Sequence, residues 1–426
     1  MQPELERHEQ AEADFLAEAR ANLSRNYTAH LLHGLLAPTG MRLLQAPTFL
    51  PYYLFLLSGS ELVVGLARGV QALAQTLTPV FSATLIEHRP RVLRIGFVVG
   101  GLMRVQVLGI ALAGFFLPAE WAGFAICVLL GLFGLFQGMQ GVIFSFLMSK
   151  VIPLDVRGRL LGLRNFLGGL TAASVAGVGG WMVSQNALGN GYAATFLLAF
   201  VLTAAGLAAL GLMREPAAPN LRPRSNMATR LADLPALLRS DREFTAYFLI
   251  RALATMGRMA PPFYVIYASK VLGVEVGGIE IGVLTMAWML AMTAANLFWG
   301  WLADRNGFRV VFLGSVGVWV VSVLVLMSAS GLGELALVFV GIGAGMGGFQ
   351  LSSQSLVLEF GSRSNLPLRI AVANTASELI GAIGPILGGV LAVTVSFLPV
   401  FWTAIVCQSA AFLLMLVFVR EPRHRE

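Results

Sequence analysis

Charge is what this chain has least of. Of its 426 residues only 12% are charged, while 57% are hydrophobic and the mean hydropathy is +0.77. Soluble domains carry about twice that share of charge, so a soluble globule is excluded and lipid must be the solvent for most of the surface. Cysteine is scarce too: Cys127 and Cys407 both lie inside apolar runs, which argues against a disulfide framework or a metal site. No phosphate-binding G-x-x-x-x-G-K-S/T loop occurs, so nucleotide hydrolysis is not the expected source of energy. Neither an H-E-x-x-H motif nor any His/Asp/Glu grouping is present to support catalysis, and no enzyme activity, cofactor or metal is expected. Long continuous apolar runs replace the strict alternation of a membrane β-barrel. The net charge of +7 is scattered between those runs, which excludes a nucleic-acid partner.

What is present is length enough to cross a bilayer many times. About 20 mainly apolar residues are needed per helix, and twelve such runs occur: roughly 29–57, 60–86, 94–117, 120–148, 160–184 and 191–213, then 244–270, 278–302, 309–331, 334–358, 368–394 and 397–419. The fold class expected is an all-α membrane protein of two six-helix bundles, 29–213 and 244–419. A polar central loop, 214–243, joins them, with a polar segment at 1–28 and a tail at 420–426. The first segment, rich in Glu and Asp, reads as a polar surface helix rather than a basic-headed signal peptide. With both ends placed in the cytoplasm, 23 of the 29 basic residues fall in cytoplasmic segments, five lie within spans and only Lys270 falls outside. A multi-pass protein of the plasma (inner) membrane with cytoplasmic termini is therefore expected.

The halves resemble each other. The stretch from Gly65 overlays that from Gly282 at a shift of 217, pairing Glu87 with Asp304. At a shift of 210, Gly131, Gly138, Gln140, Arg159 and Gly179 fall on Gly341, Gly348, Gln350, Arg369 and Gly389. "APTF" (46–49) and "APPF" (260–263) stand in the first span of each half. Their common order marks a duplicated six-helix unit.

Between the eighth and ninth spans stands "GWLADRNGFR". Its Gly300, Leu302, Ala303, Asp304, Arg305, Gly307 and Arg309 resemble the G-x-L-A-D-R-x-G-x-R signature of the major facilitator superfamily, at the turn where that family carries it. The resemblance implies twelve helices, a 6+6 repeat, a monomer, and a secondary transporter of a small solute. The equivalent turn of the first half, "ATLIEHRPR", keeps Glu87, Arg89 and Arg91 but has Pro90 where the pattern has Gly. An acid in such a turn can face the positive N-terminal end of a helix from the opposite half. By the family's symmetry Asp304 should meet the fifth span near Arg157 and Arg159, and Glu87 the eleventh near Arg369. Gly300, Asp304, Arg305, Gly307, Arg309, Glu87, Arg159 and Arg369 are thus expected to form a cytoplasmic gate, made only when those ends close.

Polar groups within spans are costly and mark pathways. Arg42 and Arg258 lie mid-span in the first helix of each half, each followed by the Ala-Pro pair. In the resembled family the first and fourth helices line the cavity, and related anion exchangers use an arginine from each first helix. The fourth helices offer Gln137, Gln140, Gln350 and Gln354, which both donate and accept hydrogen bonds. Glu378, the acid nearest the middle of a span, is the expected proton-coupling group, with permanent structural pairing as its alternative. Arg68 and Arg251 are expected to reach for the two membrane faces, Arg104 to be structural, and His30 and His33 to be interfacial. The function expected is secondary active transport of a small organic solute, an organic anion being the charge these arginines would match. The alternatives are an efflux pump for hydrophobic compounds or lipids, and a membrane-embedded sensor or non-transporting relative.

Overall fold

The computed structural model describes residues 2–86, 88–218, 242–359 and 366–419, and every regular element among them is a helix. The polar N-terminal stretch forms α1 (Gln2–Ala21) and runs almost directly into the first span. Nine described helices are each long and apolar enough to cross a membrane alone. They are α6 (Leu93–Phe116), α7 (Ala119–Val151), α8 (Leu154–Ser184) and α9 (Gly191–Leu210), then α12 (Gly278–Asn306), α13 (Phe308–Leu326), α14 (Leu332–Glu359), α15 (Leu366–Thr394) and α16 (Phe397–Phe418).

The other three of the twelve spans are assembled from shorter pieces. The first is α2 (Leu23–Gln45) plus α3 (Phe49–Ser58), and the second is α4 (Glu61–Leu77) plus α5 (Pro79–Ile86). The seventh joins α10 (Arg242–Thr255) to α11 (Tyr264–Lys270) through two 3-10 turns, Met256–Met259 and Pro261–Phe263. All three breaks fall at proline: Pro47, Pro79, and Pro261 with Pro262. Proline has no N–H to donate, and at Pro47 the preceding residue, Ala46, also leaves the helical region with ψ 144°, whereas Thr78 and Ala260 stay within it. The Ala-Pro pairs that match between the halves are therefore where the first helix of each half is interrupted.

Two seams join the halves, and glycine allows both. A Cβ at Gly65 on α4 would lie 2.4 Å from the Pro385 carbonyl of α15, and one at Gly180 on α8 would lie 2.6 Å from that of Gly278 on α12. Gly282 also packs on Gly180, so Gly65 and its counterpart in the repeat serve matching seams. Only bare backbone permits such approach.

At the end of the molecule bearing Lys270 the halves are tied together. Lys270 pairs with Glu61 at 2.6 Å, Thr48 bonds Thr285 at 2.6 Å, and Tyr52 bonds Ser269 at 3.1 Å.

Candidate functional site

The seventh span and α15 form a two-rung ladder in the C-terminal half. Arg258 pairs with Glu378 at 2.7 Å, and Arg251 donates to Asn374 Oδ1 at 2.8 Å. The spacing explains the match: residues seven apart on one helix and four apart on another each recur on one face. Arg251 is 5% exposed, so it does not reach the membrane face as its position in the sequence suggests. The Arg258–Glu378 pair is partly open, with side chains 34% and 42% exposed.

Among the described residues the N-terminal half has no such ladder. Arg42 is half-buried on α2, and no described residue makes a hydrogen bond or ion pair with its side chain. Arg68 does not reach outward as expected; it turns to the break in the first span and donates to the Leu44 and Ala46 carbonyls, each at 2.9 Å. Those carbonyls lose helical partners at Pro47, and a guanidinium at a helix C-terminus satisfies both the bonds and the dipole. Arg104 is structural, its Nη1 donating to Gly100 O at 2.7 Å and its Nε to Thr203 O of α9.

A cavity of about 240 Å³ opens between α2, α6 and α7, lined among others by His33, Met41, Arg104, Gln137, Gln140 and Phe144. The Oε1 atoms of Gln137 and Gln140 are buried without a hydrogen-bond partner. Gln350 and Gln354 of α14 are exposed and do not line it. His30 and His33 are not interfacial: they are 0% and 7% exposed and both pack on Phe144, His33 stacked at 5.0 Å. Their signal in the sequence was hidden by their place at the start of an apolar run.

At the opposite end from Lys270 the signature turn closes α12 onto α13. Gly307 has φ +83° and ψ 168°, a region that is essentially glycine's alone, and its N–H bonds Ala303 O at 2.8 Å. Gly300 has open space where a side chain would project. Arg305 lies 4.4 Å over the Trp301 ring, and Arg309 Nη2 donates to Leu416 O at 2.9 Å, fastening α13 to α16. Asp304 and Arg159 are both exposed, and no described residue bonds either. Arg157 turns back to Ile152 O at 2.8 Å within its own half. The expected meeting of Asp304 with the fifth span is therefore not made here. Glu87 and the side chain of Arg369 lie outside the described residues.

A second knot escaped the reading of the sequence. Glu215 accepts from Val92 N at 2.8 Å and Leu93 N at 2.8 Å and pairs with Lys150, so it caps the start of α6. Sequence alone placed it in the central loop with no partner.

Residues 247–426 match the family model for the Major Facilitator Superfamily. The multidrug resistance protein MdtG of Dickeya zeae (strain Ech586) is 27% identical over 162 residues, 38% of this chain and 40% of that protein. MdtG of Yersinia enterocolitica is 30% identical over 141 residues, 33% of each chain. The matched stretches thus span about two fifths or less of these curated relatives. Among solved structures, a D-xylose-proton symporter superposes with TM-score 0.73 at 12% identity, covering 95% of this chain and 99% of its own. A mutant of the nucleoside transporter NupG superposes with TM-score 0.69 at 13% identity, covering 92% and 98%. Likeness at such identity concerns the fold.

Proposed function

A chain with the major facilitator fold along nearly its whole length and that family's sequence pattern over residues 247–426 belongs to this superfamily, and we propose that it is a secondary transporter moving a small organic solute by alternating access. One observation carries the reading: the halves are tied at the Lys270 end while Asp304 and Arg159 stand unpaired at the other. A second set of contacts, made at Asp304 and Arg159 only when the first is broken, would complete a two-state element, and a solute that prefers one state would shift the balance. The chain is a multi-pass membrane protein; on this reading it sits in the inner membrane as a monomer, with Lys270 outside and the open end toward the cytoplasm. The solute is taken to be anionic because Arg42 has no counter-ion among the described residues, and Glu378 to carry the coupled proton because neutralising it would release Arg258.

Export of amphiphilic compounds is the second reading. It is favoured by the Met41, Met103 and Phe144 walls of the cavity and by the multidrug resistance names of the curated relatives. Both readings need the Lys270 end to open. A short reducible crosslink between cysteines at positions 61 and 270 should arrest flux in proteoliposomes, and reduction should restore it. Flux that continues while the crosslink is complete would exclude alternating access.

A further inference from the structure

The break in the seventh span lies against an amide that bonds nothing. Gln408 of α16 is fully buried, and neither its Nε2 nor its Oε1 has a hydrogen-bond partner among the described residues. A buried amide left unbonded is costly and calls for a reason. It packs on Gly257, in the first of the two 3-10 turns, where a Cβ would come within 2.1 Å of Nε2 and 2.4 Å of Cδ. That stretch, Gly257-Arg258-Met259-Ala260-Pro261-Pro262, is short of donors by its sequence. The Arg258 carbonyl has Pro261 three residues on and Pro262 four on, so neither a 3-10 nor an α turn offers it an N–H. The Gly257 carbonyl is left with Ala260 N at 3.4 Å. An unused donor thus lies beside a backbone that lacks donors. The repeat makes the same contact without an amide. At the shift of 217 Gly40 overlays Gly257, and it meets the sixth span, α9, as Gly257 meets the twelfth. A Cβ at Gly40 would lie 2.4 Å from Ala199 O and 2.7 Å from Cγ2 of Thr203, whose hydroxyl is spent on Phe200 O of its own helix. A methyl group fills that contact, and α2 runs through Gly40 without a break.

We propose that Gln408 is a positioning residue for the alternation: its Nε2 donates to one of the carbonyls of Gly257 and Arg258 once the Lys270 end opens, and so holds the break in that second conformation. In the tied conformation the amide goes unbonded, which weights the balance toward opening. The lever is short. From the break α11 carries the chain directly to Lys270, so a rearrangement at 256–262 bears on the Lys270–Glu61 pair. The same turn holds Arg258 to Glu378 at 2.7 Å, which links the amide to the candidate site through the backbone. The inference rests on the reading of alternating access and adds to it a residue that acts on the seventh span alone.

The test uses the full chain in nanodiscs, free of native cysteine and spin-labelled at positions 56 and 271 across the tied end. Gln408→Met keeps the volume and drops the amide. It should raise the ratio of short to long distances about tenfold, slow flux in proteoliposomes, and leave the thermal midpoint unchanged or higher. Gln408→Asn keeps an amide of shorter reach and should shift the ratio the same way by less. Pro261→Ala gives the break an N–H of its own, so in that background Gln408→Met should move the ratio little. Unmoved distances in a folded Gln408→Met protein overturn the proposal, and where that variant does not fold, unmoved distances in Gln408→Asn do the same. An equal shift with and without Pro261 also overturns it, because the amide would then act by packing. The transport reading is judged apart from this, by flux through the crosslink between positions 61 and 270.

Discussion

Arg68 and Arg42 stand on neighbouring helices and meet the cost of a guanidinium within the membrane in opposite ways. Arg68 spends its donors on two carbonyls freed by Pro47, whereas Arg42 has no bonding partner among the described residues. Removing the first leaves buried acceptors unsatisfied, and removing the second leaves nothing unpaired. Arg68→Leu should therefore lower stability by about 1–3 kcal/mol per carbonyl left unbonded, while Arg42→Gln should leave the thermal midpoint unchanged or raise it. Equal losses in a melting comparison of the two purified variants would contradict this division. Sequence set Arg42 at the solute site and sent Arg68 to a membrane face, the second wrongly, because hydropathy gives depth in the bilayer but not the side of the helix a residue occupies. The same ignorance sent Arg251 to the surface in the reading of the sequence, although it is buried against Asn374.

At the scale of elements, the number of spans was legible because each needs its own apolar run, and the breaks were legible in part. The Ala-Pro pairs at 46–47 and 260–261 appeared as a match between halves; that they interrupt helices follows from proline's missing donor. The contact between α4 and α15 was not legible, since glycines recur throughout the chain and nothing in their spacing names a partner. It has a direct test. A side chain at position 65 meets the Pro385 carbonyl, which is backbone and cannot swing aside. Gly65→Leu should force α4 and α15 apart at the Lys270 end. Spin labels at positions 56 and 271 should report a longer distance than in the parent protein, and an unaltered distance would show that this seam does not limit closure.

For the whole molecule, the repeat foretold two similar bundles, and what separates them is charge. The C-terminal ladder of Arg251, Asn374, Arg258 and Glu378 balances its one acid with one partner, while the N-terminal half gathers cations. Sequence offered Glu378 either as a coupling group or as a fixed counter-ion, and the pairing with Arg258 makes the two compatible: a proton on Glu378 ends the pair. Glu378→Gln should abolish gradient-driven accumulation in proteoliposomes while leaving exchange, and accumulation that survives with its pH dependence intact would make the residue structural. The breaks in the first and seventh spans also differ in how they are held. Position 285 is the counterpart of Arg68 at the shift of 217, yet Thr285 bonds Thr48 of the opposite half, so the first break is braced from both bundles. Among the described residues, no side chain from another helix donates to a carbonyl between 256 and 262 in the seventh span. The first span is thus braced where it breaks and the seventh is not, so amide hydrogen exchange around 256–262 is expected to outpace that around 44–48, and equal rates would show that the bracing adds no local stability.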